Sequence, residues 1–491
     1  MITVLAALYA LALAVLLVYG LNLLVLSLTR IASDRLRPGT PPPDPEAAPP
    51  HSDDDWPAVT VQLPLYNEAH VARRLINACA RLDYPKRKLD IQVLDDSTDD
   101  TTERAARCVR HWQERGVDIT LIHRDDRNGY KAGALKNGLR LARGELIAVF
   151  DADFAPQPDF LRRIVPRFDD EDIGMVQARW GHLNDDRSLL TRLQALGLDT
   201  HFAVEQHARH AVGCFINFNG TAGCWRRRCI EDAGGWHTDT LTEDLDLSYR
   251  AQLEGWRFRY VPALEVPAEL PPDLNALRAQ QFRWTKGGVK TARKLLGRLW
   301  FSDNPLGARL QGAMHLSAYG LYPFVLVAAA LHAPLLVSHA VAGAPGLGFF
   351  TAMSAGLVGF AGFVLALVVA QRALYPDWKH RLRALPLYVA GSMGLAVSNT
   401  RAVWQALRGR RSAFSRTPKH NTHSGRAWHE SRYALRCLPA VAWAELGAAL
   451  YCGLGLVALV AVGAWTALPF QVLFTVGFGL AAAASFRQAQ S

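Results

Sequence analysis

Two short apolar runs of the sequence each end in a pair of acidic residues. Asp95 and Asp96 end the run that begins near residue 89, and Asp151 and Asp153 end the run that begins near residue 145. Carboxylates clustered in this way repel one another unless a cation compensates their charge. Hard oxygen ligands favour Mg²⁺ or Mn²⁺ shared with a substrate phosphate. The alternative is that each acid caps a helix or begins a turn, which Asp also favours.

The runs that carry these acids alternate with helical stretches. Four apolar runs predict strands, at 59–65, 89–96, 118–124 and 145–153. Stretches typical of helices lie between them, at 68–80 and 101–115. Strands spaced by helices of this length predict βαβ units and a mostly parallel sheet. Such sheets bind ligands at the carboxyl ends of their strands, which is where the four acids lie.

A lysine and a motif on a predicted helix could both bind the phosphates of a substrate. Lys131 lies in a glycine-containing loop, where an ammonium could approach phosphates, although a solvated lysine is equally compatible with this loop. Gln280, Arg283 and Trp284 fall on one face of a predicted helix because of their i, i+3, i+4 spacing. Arg283 can bind a diphosphate through two parallel hydrogen bonds. A basic amphipathic helix next to a membrane is the plainer interpretation of this segment.

Seven segments occur in an order that resembles a known family. They are QLPLYNE (62–68), QVLDDSTD (92–99), RDDRNGYKAGALKNG (124–138), FDADF (150–154), FNGTAG (218–223), TEDLDL (242–247) and QQFRW (280–284). Together they resemble the inverting family 2 glycosyltransferases of the cellulose-synthase superfamily. RNGYKAGALK, VQARW, VEQ and AGGW look most like the cellulose-synthase-like branch that makes mannan and glucomannan. The resemblance implies a GT-A-type α/β domain, mostly parallel and cytoplasmic, inserted into an α-helical multi-pass membrane domain.

The resemblance also implies roles for the matching residues. Asp244 matches the general base that takes a proton from the acceptor hydroxyl, although spacing alone would make it an early-helix acid favoured by the helix dipole. Asp153 matches the ligand of a Mg²⁺ or Mn²⁺ ion bound to the diphosphate. Trp284 and Glu243 match contacts of the acceptor. The remaining matches are contacts of the nucleotide sugar, namely Tyr66, Glu68, Asp95, Asp96, Lys131, Asp151, Gln280, Arg283, Thr417 and Lys419.

Thr417 and Lys419 belong to the segment FSRTPK (414–419). This segment resembles the FxVTxK gating loop of processive synthases, which covers the active site when the donor is bound. Arg416 stands where that motif has Val, so the match is imperfect. The alternative is a basic cytoplasmic loop that sets topology and contacts anionic lipid.

Long apolar runs predict membrane spans. The N-terminal run, 1–28, is long enough to cross a hydrocarbon core of about 30 Å. Further runs lie near 309–338, 348–371, 438–463 and 467–486. A weaker run at 385–404 is followed by nine Lys or Arg and one Glu within 401–436. If both flanks of that run face the cytoplasm, it lies in the interface, and five spans remain with the N-terminus outside.

This interpretation places the protein in the cell (inner) membrane and divides the chain into eight segments. They are a first transmembrane helix (1–29), a Pro-rich linker (30–58), a cytoplasmic GT-A domain (59–270), an interfacial helix with QxxRW (271–300), two transmembrane helices (301–371), a cytoplasmic loop with an interfacial helix (372–405), a gating-type basic loop (406–436) and two C-terminal transmembrane helices (437–491).

Composition excludes several other classes of protein. Seven Cys without a CxxC pair argue against a disulfide scaffold or zinc finger in 491 residues. The net charge of +10 lies largely in one loop beside the membrane, so nucleic acid is not expected as a partner. A pure transporter would not need the acid-rich α/β domain, even though Glu445 lies within an apolar run.

The sequence therefore predicts a membrane hexosyltransferase. It would transfer hexose from a nucleotide-diphosphate sugar, GDP-mannose or UDP-glucose, to a growing β-1,4-linked glycan, coupled to export of the chain. The alternative is a non-processive enzyme that makes a glycolipid on a ceramide- or diacylglycerol-type acceptor. The expected partners are the sugar donor, the glycan and the bilayer, and export partners cannot be deduced from one sequence.

Overall fold

The computed structural model describes residues 1–36, 52–410 and 439–490. An α/β domain follows the first helix, and long apolar helices follow that domain. The predicted fold class, a GT-A-like domain inserted into a helical membrane domain, is confirmed. Thr417 and Lys419 of the predicted gating-type loop lie outside the described residues.

Seven strands form one sheet. They are β1 (Val59–Leu65), β2 (Leu89–Asp95), β3 (Ile119–His123), β4 (Leu146–Val149), β5 (Ile173–His182), β6 (Gly223–Arg226) and β7 (Arg257–Ala268). Their order across the sheet is β3-β2-β1-β4-β6-β5-β7. The pairs β1–β2, β1–β4, β2–β3 and β5–β7 are parallel. β6 runs antiparallel to β4 and β5, so the sheet is mixed at this point.

Helices cover the two faces of this sheet. They are α2 (Ala72–Cys79), α3 (Thr101–Gln113), α4 (Tyr130–Leu141), α5 (Phe160–Ile164), α6 (Leu189–Thr200), α7 (His207–Ala211), α8 (Arg227–Asp232) and α9 (Glu243–Leu253). Helix α1 (Ile2–Leu36) precedes this domain in the chain. Leu146 and Ala148 of β4 pack into one hydrophobic core, and Ile147 and Val149 pack into another. A strand buried on both faces is continuously apolar, which explains why sequence runs identified β1, β2 and β4.

Within the described parts of the chain, five helices are long and apolar enough to cross a membrane. These candidate spans are Ile2–Ser33, Tyr322–Ala342, Leu347–Leu374, Val441–Ala461 and Trp465–Ala489. The apolar run that begins near residue 309 is divided, because α11 (Leu306–Ser317) precedes the span α12 (Tyr322–Ala342). The first helix continues to Leu36, past the predicted boundary at 29.

The remaining helices either form the other spans or lie next to the spans in the chain. They are α10 (Leu274–Trp300), α13 (Leu347–Met353), α14 (Gly356–Leu374), α15 (Trp378–Arg381), α16 (Leu385–Gly394), α17 (Ala396–Leu407), α18 (Val441–Ala461) and α19 (Leu468–Gln490). The weaker run at 385–404 forms two short helices, α16 and α17, and neither is among the candidate spans. Asp273 caps the start of α10, because its carboxylate accepts a hydrogen bond from the Ala276 amide at 2.8 Å.

Candidate active site

A single cavity at the carboxyl ends of the strands collects most of the predicted site residues. It opens between the loops after β1, β2 and β4 on one side and helices α9 and α10 on the other. Of the predicted residues, it is lined by Tyr66, Glu68, Asp96, Lys131, Asp151, Asp153, Glu243, Asp244, Gln280, Arg283 and Trp284. Residues that are more than 200 positions apart in the sequence therefore meet at one edge of the sheet.

Asp95 does not line the cavity with the other predicted residues. Its side chain is fully buried, and it accepts hydrogen bonds from Thr102 Oγ1 at 2.6 Å and from the Ser97 amide at 3.2 Å. His123 Nδ1 lies 2.8 Å from the same carboxylate. These contacts hold the ends of β2 and β3 together, so Asp95 shapes the loop that presents Asp96.

Asp96 forms a two-pronged ion pair with Arg124. The Arg124 Nε donates to Asp96 Oδ1 at 2.7 Å, and Nη2 donates to Oδ2 at 2.5 Å. Nη2 also donates to the Tyr130 carbonyl at 3.2 Å. Bidentate pairs of this kind fix geometry as well as charge, so Asp96 organises the loop that leads into α4.

Lys131 lies at the centre of the acidic residues. Its Nζ is 2.5 Å from Asp151 Oδ1 and 3.9 Å from Glu243 Oε1, and it donates to the Gly220 carbonyl at 2.8 Å. Burial alone would lower the pKa of Lys131, but the carboxylates of Asp151 and Glu243 outweigh this effect and raise it. The amine therefore stays charged where a diphosphate would need a cation.

Asp244 is the acid best placed to act as a base. Burial and the neighbouring Glu243 carboxylate raise the pKa of Asp244 to about 7, against the opposing effect of Lys131. Its Oδ1 accepts a hydrogen bond from the Leu245 amide at 2.8 Å. A carboxylate with a pKa near neutrality can accept a proton at physiological pH and release it again.

Gly220 allows the FNGTAG segment to approach this base closely. Its φ is +83°, and a Cβ at this position would lie 2.9 Å from Asp244 Oδ2 and 3.4 Å from Lys131 Nζ. Only glycine combines that backbone conformation with the small separation. The segment therefore serves as a wall of the cavity beside Asp244.

Helix α10 places Gln280, Arg283 and Trp284 on the far side of the cavity. Burial lowers the pKa of the Arg283 guanidinium to about 10, although the carboxylates of Asp151 and Glu243 act in the opposite direction. Arg283 therefore remains cationic at neutral pH. The i, i+3, i+4 spacing predicted from the sequence is realised in one continuous helix.

Two acids after β4 provide oxygen ligands within the cavity. Asp153 is 9% exposed, and Asp151 lies closer to the opening, beside Lys131. Arg74 Nη2 donates to the Asp153 carbonyl at 3.1 Å, and its Nη1 lies 3.2 Å from Glu269 Oε2. Carboxylate oxygens of this type suit a divalent ion such as Mg²⁺ or Mn²⁺.

A second acidic group lies outside the cavity. His237, Asp239 and Asp246 place one ligand atom each within 4.8 Å of one another. Lys294 Nζ lies 2.8 Å from Asp246 Oδ1 and 3.0 Å from Asp239 Oδ2, so an ammonium already balances these carboxylates. Asp246 thereby ties α9 to α10.

Three ionisable residues of the cavity were not predicted from the sequence. Arg127, His182 and Glu269 line the cavity but were not singled out. Arg127 lies within the segment RNGYKAGALK, so its place beside Lys131 could have suggested a role. His182 ends β5 and Glu269 follows β7. The sequence did not identify either segment as a strand, so no positional signal pointed to these two residues.

The sheet topology and this cavity define a GT-A-like domain. Residues 57–287 match the family model described as Glycosyltransferase like family 2, and this part of the chain is a glycosyltransferase family 2 domain.

The chain is also similar to curated plant proteins. Glucomannan 4-beta-mannosyltransferase 7 of Arabidopsis thaliana is 44% identical over 255 residues, which are 51% of this chain and 46% of that protein. Glucomannan 4-beta-mannosyltransferase 1 of Oryza sativa subsp. japonica is 46% identical over 247 residues, 49% of this chain and 47% of that protein. The chain thus spans about half the length of the curated relatives it matches.

One solved structure supports the fold. The mannosyltransferase of Pyrobaculum calidifontis in complex with GDP-Man and Mn²⁺ superposes with a TM-score of 0.55 at 22% identity. The match covers 83% of this chain and 100% of that one. At this identity the similarity establishes the architecture of the chain.

Proposed function

We propose that this protein is a membrane-embedded, inverting hexosyltransferase. It transfers hexose from a nucleotide-diphosphate sugar, GDP-mannose or UDP-glucose, to a growing β-1,4-linked polysaccharide whose export is coupled to synthesis. The mannan-like segments and the two curated mannosyltransferase relatives favour GDP-mannose as the donor. The observation that carries the proposal is the cavity, which unites Asp244 with Lys131 and Arg283 at the carboxyl edge of the sheet.

The residues divide the chemistry between them. Asp244 accepts the proton of the acceptor hydroxyl while that oxygen attacks the anomeric carbon of the donor. The bond from that carbon to the diphosphate breaks on the opposite face, which inverts the configuration. Lys131 and Arg283 hold the departing diphosphate, because their cations balance the developing negative charge. Trp284 offers an apolar face against which a sugar ring of the acceptor can pack.

A divalent ion would be held by Asp153, with Asp151 beside it. When bound, Mg²⁺ or Mn²⁺ supplies positive charge to the diphosphate. Glu269 and Arg74 fix the backbone that carries Asp153, through the contacts described above. Thr417 and Lys419 of the predicted gating-type loop would add contacts to the donor.

The protein is proposed to reside in the inner cell membrane with its GT-A domain in the cytoplasm. The five apolar helices support the membrane assignment. The basic residues of 401–436 support a cytoplasmic location of that segment. A cytoplasmic domain has direct access to nucleotide sugars.

The test is a donor screen on purified full-length protein in detergent or nanodiscs. Radiolabelled GDP-mannose and UDP-glucose are each supplied with Mg²⁺ or Mn²⁺, and Asp244→Asn is compared with Asp239→Asn, which changes an exposed acid outside the cavity. We expect a high-molecular-weight product that a mannanase or glucanase cuts and that is lost only in Asp244→Asn. Label found only in a lipid extract would contradict polymer synthesis and support a glycolipid product.

A further inference from the structure

A π-helical turn lies between α6 and α7. It covers His201–Gln206 and joins the two helices without a break in the chain. A π-helix has hydrogen bonds between residues i and i+5, one position further than in an α-helix, and single π-helical turns are frequent at functional sites. One side of this turn contacts a residue of the cavity, and the other side contacts membrane helices.

Two side chains of the turn hold Asn219, which lines the cavity. Asn219 Nδ2 donates to His201 Nε2 at 2.8 Å, and its Oδ1 accepts from Gln206 Nε2 at 3.3 Å. Gln206 Nε2 also donates to the Asn217 carbonyl at 2.5 Å. The backbone N–H of Asn219 donates to Gln177 Oε1 at 3.0 Å. The side chain and the backbone of Asn219 are therefore both fixed.

His201 is suited to accept this hydrogen bond. Burial lowers the pKa of His201 to about 4, although the Glu205 carboxylate acts in the opposite direction. The imidazole is therefore neutral near physiological pH, and a neutral imidazole has one nitrogen that accepts. Because the Nδ2 group of an asparagine only donates, Nε2 of His201 is the accepting nitrogen.

The residue after Asn219 lies at the catalytic end of the cavity. The Gly220 carbonyl accepts the hydrogen bond from Lys131 Nζ at 2.8 Å. A Cβ on Gly220 would lie 2.9 Å from Asp244 Oδ2. A shift of Asn219 would move Gly220, and with it a partner of the Lys131 ammonium and the wall beside the proposed base. The position of Asn219 therefore affects the geometry around Asp244.

The other side of the turn is attached to the membrane helices. Arg30 of α1 donates from Nε to the Ala203 carbonyl at 2.9 Å. Ala203 and Val204 belong to one buried cluster with Leu26 of α1 and Ala366 of α14. The turn is thus held against two membrane helices, so that its side chains can keep Asn219 in one position.

We propose that His201 and Gln206 are positioning residues for sugar transfer, because they fix Asn219 and, through it, the groups beside the proposed base. Neither His201 nor Gln206 is among the described residues that line the cavity, so they act through Asn219. The inference rests on the proposed function, and it adds that α1 takes part in the transfer by anchoring the π-helical turn.

The experiment measures kcat and the donor KM of the purified full-length protein with radiolabelled GDP-mannose or UDP-glucose, whichever the wild type uses. His201→Met removes the accepting nitrogen, whereas His201→Gln supplies an amide oxygen that can accept in its place. The matched control is His111→Met, which changes an exposed histidine of α3.

We expect His201→Met to lower kcat by about 10²-fold, the cost of a displacement of about 1 Å near the reacting groups. The donor KM should change less, because the geometry around the base acts in the transition state. His201→Gln should recover most of kcat, and His111→Met should keep the wild-type kcat. Gln206→Met removes the second contact to Asn219 and should lower kcat independently of His201.

A double-mutant cycle tests whether His201 acts through Asn219. Asn219→Leu should lower kcat about as much as His201→Met, and the double variant should lose no more than either single variant. Thermal unfolding in detergent checks that each variant is folded. Additive losses in the double variant, a wild-type kcat in His201→Met, or a folded His201→Gln as slow as His201→Met would each overturn the inference. A wild-type protein that transfers sugar from neither donor would instead overturn the proposed function.

Discussion

The acid–base behaviour of Asp244 depends on the residues that share its end of the cavity. Burial and the Glu243 carboxylate favour its neutral form, and the Lys131 ammonium favours its charged form. The balance leaves a pKa of about 7. A general base acts only when deprotonated. Under the role proposed for Asp244, the environment of this side chain therefore sets the pH range of sugar transfer.

We expect sugar transfer to fall as the pH drops below about 7, because Asp244 then becomes protonated. Lys131→Met removes the charge that lowers this pKa, so the acid limb of kcat/KM should move to higher pH. Lys136→Met changes an exposed lysine of the same helix and should leave the limb in place. Initial rates between about pH 5 and about pH 9 provide the measurement. An acid limb that stays in place in Lys131→Met would contradict the assignment.

Much of the site could be predicted because strand ends carry a signal in the sequence. β1, β2 and β4 are buried on both faces and read as continuous apolar runs, which located Asp96, Asp151 and Asp153. β7 mixes buried with exposed residues, and β6 begins with Gly223 and ends with Arg226, so neither gave a clear apolar run. The ends of such strands, and the residues near them, could not be found by pattern alone.

Asp95 shows a second limit of prediction from sequence. Asp95 is the last residue of β2 and Asp96 is the first residue after it. Successive side chains of an extended backbone point to opposite faces. The structure directs Asp95 inward to Thr102 and Ser97 and directs Asp96 to the cavity. The two adjacent acids of one motif therefore lie in different environments. Only the three-dimensional structure shows which of the two side chains faces the cavity.

Helix α10 packs closely against the residue that precedes α9, at Gly287. A Cβ on Gly287 would lie 2.5 Å from Thr242 Cγ2 and 3.0 Å from the Thr242 amide nitrogen. Thr240, Thr242 and Thr291 bring their hydroxyl oxygens within 3.1–3.2 Å of one another at the same contact. The start of α9, and with it Asp244, is therefore positioned by α10.

Gly287→Ala should displace the start of α9 and lower the rate of transfer. A displacement of about 1 Å at a reacting group can cost about 10²-fold in rate. Gly297→Ala is the matched control, since a Cβ there would meet no described residue within 4 Å beyond the adjacent backbone of α10 itself. This substitution should stabilise α10 by about 1 kcal/mol. The comparison uses kcat for both variants together with nucleotide affinity. A wild-type kcat in Gly287→Ala would show that α10 does not position Asp244.

At the scale of the whole molecule, one buried ion pair joins the catalytic domain to the C-terminal helices. Arg278 of α10 donates to both oxygens of Glu445 in α18, at 3.1 and 2.7 Å, and to Ser485 of α19 at 2.8 Å. The two charged side chains are 7% and 0% exposed. Glu445, which could suggest a transport site in the sequence, instead connects α10 to the membrane helices.

Glu445→Gln should destabilise the protein strongly, because it leaves the Arg278 charge buried without its partner. Breaking a buried pair from one side costs about 3–5 kcal/mol. Glu254→Gln, which breaks the exposed pair with Arg298, should cost about 1 kcal/mol or less. Thermal unfolding in detergent measures the loss of stability of both variants. The double variant Arg278→Met with Glu445→Leu should recover most of the loss, and a double variant as unstable as Glu445→Gln would contradict this explanation.

The arrangement of the chain in the membrane gives the last prediction. In the proposed topology, with the five candidate spans and the GT-A domain in the cytoplasm, the turns after α12 and α18 would face outward and the segment around α15 would face inward. Cysteines introduced by Ala342→Cys and Thr466→Cys, in a chain whose native cysteines have been replaced, should react with an impermeant maleimide in intact cells. The cysteine of His380→Cys should react only after permeabilisation.

The reactivity of the cysteine of Thr466→Cys, which follows α18, shows whether α16 and α17 cross the membrane. If these two helices crossed the membrane together, every later segment would change sides, and the cysteine of Thr466→Cys would be protected while that of Ala342→Cys remained reactive. Their lengths of 10 and 12 residues are each too short for a span, which takes about 20 residues. The segment 401–436 carries nine Lys or Arg against one Glu, which favours retention on the cytoplasmic side. We therefore expect both outer cysteines to react equally.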